Sequence, residues 1–519
     1  MTIGKELQNP IIRGFAPDPS VCAVGEYFFL VNSSFHIWPG LPIYASKNLQ
    51  DWTLIGHAIN RSEQLSLSGA KTGVSLLPDG HTLVGTTGLL AATIRHYHGR
   101  FYVVCTNASN QDDGFRTDNF YVTTEDIWSN NWSEPVYFDF DGIDTSLFVD
   151  DDNRAYVQGA CYFDIGKQPS STIKQFEVDL ATGKALSPTR EIWPGYANID
   201  TEGPHIYKRD GYYYLLVAEG GTFEHHMLSI ARSTDIWGPY ESYQHNPIVT
   251  ADGTDEYIQN TGHGELFEDQ NGSWWAAVLA IRHVGDGRYT LGRETFLTPV
   301  SWPSGGWPKV EQPKMKYTVR RAPEGSAIPP RHSSPQSLID YRFIRTPQLS
   351  NYHLDQSTST ISVTPSIGTL ESQGPTISFL GLYQPDLDAT ASVALGTGFS
   401  GKAGLALYKD AKRSATIAFN PLTTSVEYAV VNAGTSLRDN LTVQLKSTPA
   451  SIEFRIIASE RSYTFEFRTE KRGKWASIAE LDTLKITSRD FTGPIFGVFA
   501  TADSPEEARP AIFREFVVY

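Results

Sequence analysis
The sequence predicts an all-β chain: a five-bladed β-propeller over residues 1–320, a linker over 321–336 and a β-sandwich over 337–519. Three observations lead there. A hairpin-like pattern recurs five times in the first three hundred residues, at intervals of about 50–75 residues, room for a four-stranded blade with its loops. A stretch rich in Pro, Ser and basic residues then interrupts the pattern. Beyond it the chain breaks into many short alternating runs separated by turn residues.

The five repeats read "APDPSVCAVGEYFFLV" (16–31), "LAATIRHYHGRFYVVC" (90–105), "GIDTSLFVDDDNRAYVQG" (142–159), "DTEGPHIYKRDGYYYLLVAE" (200–219) and "NTGHGELFEDQNGSWWAAVLA" (260–280). Each runs from small or polar residues into a short apolar strand, a turn and a second strand. Four of the five turns carry Gly ahead of aromatics. Superimposed on the first strand, the repeats place Asp18, Ala91, Asp144, Glu202 and His263 at one position. In a propeller the innermost strands start at the axis, so these side chains are expected to converge. Collecting so many ionisable groups is costly unless they perform chemistry. Asp18 is also clamped between Pro17 and Pro19, which restrict its backbone. The consecutive acids of "FVDDDN" (148–153) read instead as a solvated hairpin turn.

"VRRAPEGSAIPPRHSSPQS" (319–337) has the composition of a linker. The following runs, among them "AGLALYKD", "SATIAFNP", "SIEFRIIAS", "RSYTFEFRT" and "AIFREFVVY", alternate as strands of an antiparallel sandwich do. Composition narrows the partners. Net charge is −15 and there is no long basic run, which disfavours nucleic acid and anionic membranes. No apolar run is long enough for a transmembrane helix. The first residues lack a signal-peptide core, so a cytoplasmic location is expected, or secretion if a leader has been removed. Three cysteines, an odd number, argue against a disulfide framework. Aromatics at 12% suit β structure and flat sugar faces.

Two aspartates and a glutamate in one pocket supply the inventory for glycosidic hydrolysis: a protonated acid for the leaving oxygen, an ionised carboxylate for water, and a third acid to raise the donor's pKa. The motifs also resemble glycoside hydrolase family 43, the β-xylosidase and α-L-arabinofuranosidase family, in its two-domain form. The resemblance runs through "NPIIRGFAPDPS", "FHIWPGLPIYASKNLQDWTLIGHAINR", "ATIRHYHGRFYVVCTN", "GIDTSLFVDDDN", "TEGPHIYKRDGYYYLL", "TGHGELFEDQNGSWW" and "LGRETFL".

The resemblance implies inversion at the anomeric carbon, with Asp18 as general base, Glu202 as general acid and Asp144 as the residue that tunes and orients the acid. It implies Arg293, Phe35, His263, Leu90 and Thr201 as substrate-binding residues. It further implies a concanavalin-like second domain whose loop brings Phe491 to the pocket, although plain packing of Phe491 in the sandwich weighs equally. No cofactor is implied as required; a structural calcium ion or water is implied beside His263. Where close β-xylosidase relatives tend to read "WAPTIR", this chain reads "LAATIR", which alters the subsite around Leu90. The expected activity is exo-acting release of terminal pentoses from xylo-oligosaccharides or arabinoxylan. Its alternatives are an enzyme that mainly removes arabinose side chains, and a propeller that binds glycans without cleaving them. A homo-oligomer is compatible with all three.

Overall fold
The computed structural model describes all residues except 1–4, 78–79, 112–113, 164–168, 284, 320–321, 331–334, 375, 488 and 505–507. Part of the expected linker therefore lies outside the described residues. Among the described residues the regular structure is strand, apart from a few one-turn 3₁₀ segments.

Five antiparallel sheets follow one another along the first three hundred residues. Their first strands are Ser20–Val24, Gly88–Tyr97, Ile143–Val149, Glu202–Arg209 and Ile258–Glu268. Each is followed in sequence by its partners, so that every sheet grows outward by hairpin connections. The first strand of each sheet lies against the first strand of the next, and that of the fifth lies against that of the first. Apolar residues fill the spaces between neighbouring sheets. Leu216, Ile230, Val278 and Phe296 pack between the fourth and fifth, while Val104, Tyr121, Phe138 and Phe176 pack between the second and third. The N-terminal segment ties to the last sheet: the Asn9 side chain donates to the Leu297 and Lys314 carbonyls, and Lys5–Gln8 pairs with Lys316–Val319.

The turn of "FVDDDN" is more than a solvated loop. Asp151 and Asp152 are exposed, but Asp150 is buried and accepts from Lys208 Nζ at 2.5 Å and from the Tyr213 hydroxyl at 2.6 Å. It joins the third sheet to the fourth.

The second unit is a two-sheet sandwich. One sheet has seven strands in the spatial order Tyr352–Asp355, Thr360–Val363, Ala511–Val518, Ala389–Gly396, Ser451–Ala458, Ser462–Arg468 and Ala476–Asp482. The other has six, in the order Phe379–Tyr383, Ile495–Thr501, Lys402–Asp410, Arg413–Asn420, Ser425–Asn432 and Leu437–Gln444. In the seven-stranded sheet burial alternates residue by residue along Ala389–Gly396, as expected with one face on the core and one outside. Strand Lys402–Asp410 is buried along nearly its whole length, because its sheet has the sandwich core on one face and the first unit on the other. There Tyr408 meets His36 (3.0 Å) and Lys409 Nζ donates to the Tyr289 carbonyl (3.1 Å). Ile37–Trp38 pairs with Phe343–Ile344, and one apolar cluster runs through Trp38, Phe343 and Tyr352 across the junction. The two units thus share a core. All three cysteines, Cys22, Cys105 and Cys161, are unpaired.

Candidate active site
The first strands of the sheets all carry the same local device, at or near their starts. Asp18, Ala91, Asp144, Gly203 and His263 each have positive φ (52°, 42°, 55°, 57° and 30°). Each is followed by a small residue, a polar one and an aliphatic one, and four of the five strands slip register at this point. Positive φ is strained for residues other than Gly and is sustained only where the surroundings impose it. Here it re-aims one side chain per sheet toward the centre.

This geometry corrects the expected register in one place. Gly203, not Glu202, is the fourth sheet's equivalent of Asp18 and Asp144, and Glu202 stands one residue earlier. A Cβ at position 203 would lie 2.8 Å from the His263 ring, so close packing there excludes any side chain and the preceding residue supplies the carboxylate.

The residues converge all the same. A pocket of about 90 Å³ is lined by Asp18, Phe35, Leu90, Ala91, Ile143, Asp144, Glu202, Thr222, His263, Arg293 and Phe491. A larger crevice of about 620 Å³, around Trp52, His57 and Asp340, lies elsewhere, between the two units, and holds no comparable set of acids. Of the expected site residues only Thr201 is absent from the pocket. It is fully buried, and its hydroxyl donates to the Pro194 carbonyl (2.8 Å) and to Glu219 Oε1 (3.2 Å). Glu219 also accepts from the backbone N–H groups of Tyr196, Ala197 and Asn198, so Thr201 belongs to the bracing of this loop rather than to a sugar subsite.

Asp18 is buried and accepts from Ser33 Oγ (2.6 Å) and Arg293 Nη1 (3.3 Å). Burial alone would raise its pKa, but Arg293, His263 and the Ser33 hydrogen bond together hold the carboxyl below its ordinary value. Asp144 is buried too, and its chief hydrogen bond is from the Gly203 N–H (3.2 Å); His263 Nδ1 stands 3.9 Å away. Burial and the charges of Glu202 and Asp18 push Asp144 well above the carboxylate range. Glu202 is pushed up to about 7, first by burial and then by the charges of Asp200 and Asp18. Asp144 and Glu202 thus both stand above the ordinary carboxylate range, while Asp18 stands below it.

Arg293 ties the site to the second unit. Its guanidinium lies 5.2 Å from the centres of both the Phe35 and Phe491 rings, and Nη2 donates to the Phe491 carbonyl (3.1 Å). Thr222 Oγ1 accepts from Nη1 (3.1 Å). Its Nε is buried without a hydrogen-bond partner among the described residues. Phe491 follows Arg489–Asp490, a short strand that runs parallel to Leu83–Val84 of a hairpin inserted before the second sheet. Its ring stacks near Phe223 (6.1 Å) and Phe35 (5.9 Å), which places it over the pocket as well as in the interface. Thr222 was not singled out in the sequence; the Gly220-Gly221 pair, both at positive φ, was its one local signal.

The residues around His263 do not fit a calcium ion, which takes six to eight oxygen ligands. The carboxylate lying deeper along the axis, Glu265, is already engaged by Arg95 through Nη1 (2.9 Å) and Nη2 (2.7 Å), and by Ser20 Oγ (2.5 Å). Arg95 Nη2 also meets His205 Nδ1 (3.1 Å). A fixed guanidinium thus stands among these groups, and no cluster of three or more His, Cys, Asp or Glu arranged for a metal occurs among the described residues.

Comparison with known proteins agrees with this layout. Residues 7–308 match the profile of Glycosyl hydrolases family 43, and residues 332–518 match that of a beta xylosidase C-terminal Concanavalin A-like domain. A non-reducing end alpha-L-arabinofuranosidase of Bacteroides ovatus is 32% identical over 532 residues, covering 99% of this chain and 94% of the relative. A xylosidase/arabinosidase of Butyrivibrio fibrisolvens is 41% identical over 318 residues, 58% of this chain and 56% of the relative. The crystal structure of xylan beta-1,4-xylosidase from Bacillus halodurans C-125 superimposes with a TM-score of 0.86 at 27% identity, covering 98% of this chain and 99% of that one.

Proposed function
Because the chain belongs to glycosyl hydrolases family 43, we propose that it is an exo-acting, inverting glycoside hydrolase that releases terminal pentoses from xylo-oligosaccharides or arabinoxylan. It acts as a β-D-xylosidase with α-L-arabinofuranosidase activity. The observation that carries this reading is the opposed tuning of two carboxyls facing one small pocket: Asp18 held ionised, Glu202 held protonated to about pH 7. The five sheets are read as the blades of a closed five-bladed propeller, since first strands that touch in a ring bring all five starts to one axis.

In the mechanism, Asp18 removes a proton from water as the oxygen attacks the anomeric carbon. Glu202 gives its proton to the departing glycosidic oxygen, and that carbon–oxygen bond breaks. Asp144, whose carboxyl responds to the charge of Glu202 and accepts from the Gly203 N–H, is the residue that tunes the acid and keeps its backbone in place. Arg293, which lines the pocket, serves a sugar hydroxyl, with Phe35 and Phe491 as walls. Phe491 supports the exo reading, because a pocket roofed from the second unit admits a chain end more readily than a chain middle. Both proton transfers use the chain's own carboxyls, so these steps require no cofactor.

A second reading, mainly an α-L-arabinofuranosidase, is favoured by two observations: the Bacteroides ovatus relative that aligns with the whole chain carries that name, and Leu90 gives the subsite an aliphatic wall. Initial rates on an aryl β-D-xyloside and an aryl α-L-arabinofuranoside decide between them. Faster xyloside turnover supports the first reading, and turnover of the arabinofuranoside alone supports the second. Glu202→Gln should slow natural xylosides at least tenfold more than substrates with very acidic leaving groups, which need little protonation. Equal losses on both remove Glu202 from the acid's role, and sugar binding without product removes hydrolysis altogether.

A further inference from the structure
Tyr162 ends the second strand of the third sheet, Ala155–Tyr162. The residue is 46% exposed, yet its hydroxyl reaches Glu202 and donates to Oε2 at 2.7 Å. Among the described residues it is the one hydrogen bond Glu202 receives, and Oε1 has none. The groups facing Glu202 are few. Asp200 is on its own segment, Asp144 is on the third sheet, and Asp18 comes from the first. Arg293 and His263 come from the fifth, and Leu90 and Ile143 are apolar.

A protonated carboxyl has one O–H and one carbonyl oxygen. A donor fixed on Oε2 makes that oxygen the acceptor and leaves the proton to Oε1, the oxygen free to meet a substrate. We propose that Tyr162 is a positioning residue for the general acid: its hydroxyl sets the proton on Oε1 and stabilises the carboxylate that remains once the proton has passed to the glycosidic oxygen. The inference rests on the hydrolytic reading above. No atom is gained or lost at Tyr162; its O–H stays intact while Glu202 changes from acid to carboxylate. The same bond opposes the burial and the acidic neighbours that raise Glu202, so it moves the upper end of the working pH range downward.

The test is the pH profile of kcat/KM for wild type, Tyr162→Phe and Tyr162→Ala on an aryl β-xyloside and an unactivated xylobioside. Phenylalanine keeps the ring and removes only the donor. The basic limb should move upward by about one pH unit in both variants, the scale expected for a hydrogen bond to a charged group. The xylobioside should lose several-fold more rate than the activated substrate. A limb that stays put or moves down in the Phe variant, or equal losses on the two substrates, overturns the inference while leaving hydrolysis standing. Absence of wild-type turnover on every pentoside overturns the hydrolytic reading and this inference together.

Discussion
Glu202 is an acid whose usefulness and whose cost come from the same burial. Its pKa of about 7, against an ordinary 4.5, means the folded chain keeps a proton that the unfolded chain has already released. Stability from this group is therefore fully present below pH 4.5 and declines as pH rises toward 7. Glutamine cannot ionise, so Glu202→Gln should match the wild-type Tm near pH 4.5 and exceed it by a growing margin up to about pH 7. Thermal melts across that range check this; a margin that is constant or shrinks with pH contradicts it. Asp18 differs because Ser33 and Arg293 compensate its burial, and its clamp of prolines was legible in the sequence before any partner was known. Arg293 was legible only through a motif, since nothing local says that residue 293 will meet residue 18. Thr201 was named as a subsite residue only through the resemblance, and its hydroxyl points to the Pro194 carbonyl and Glu219.

At the scale of elements, the hairpin pattern was plain because each repeat is local: an apolar strand, a turn that carries Gly in four of the five, and a second strand. The register at the axis was less so. A positive-φ residue interrupts the strand alternation, and only backbone geometry distinguishes Gly203 from Glu202 as the repeat position. Two layers lie behind that device. The first presents the acids; the second, formed by Ser20, Thr93, Ser146, His205 and Glu265 two positions on, is closed by Arg95. Glu265 is 2% exposed, so losing its partner would strand a buried charge. Arg95→Leu should cost about 3–5 kcal/mol in unfolding free energy, whereas a chelator should leave both Tm and rate of the wild type unchanged. Denaturant titration measures the first, and an EDTA-dependent loss of Tm would falsify the view that Arg95 is the cation of this axis.

For the whole molecule, the repeat-built unit and the sandwich could be read from periodicity, because each carries its own strand pattern. The join could not. Arg489–Asp490 pairs with Leu83–Val84 across four hundred residues of chain, and Phe491 reaches a pocket whose acids all come from the other unit. Such contacts leave no trace in local alternation. They nevertheless decide what the pocket admits, since Arg293 is held between one aromatic from each unit. Everything then turns on Asp18 delivering water to the face of the sugar opposite Glu202. Proton NMR of the first product released from an aryl β-D-xyloside, recorded before mutarotation, reads this directly. The account predicts α-xylose as the initial anomer; β-xylose appearing first would contradict it.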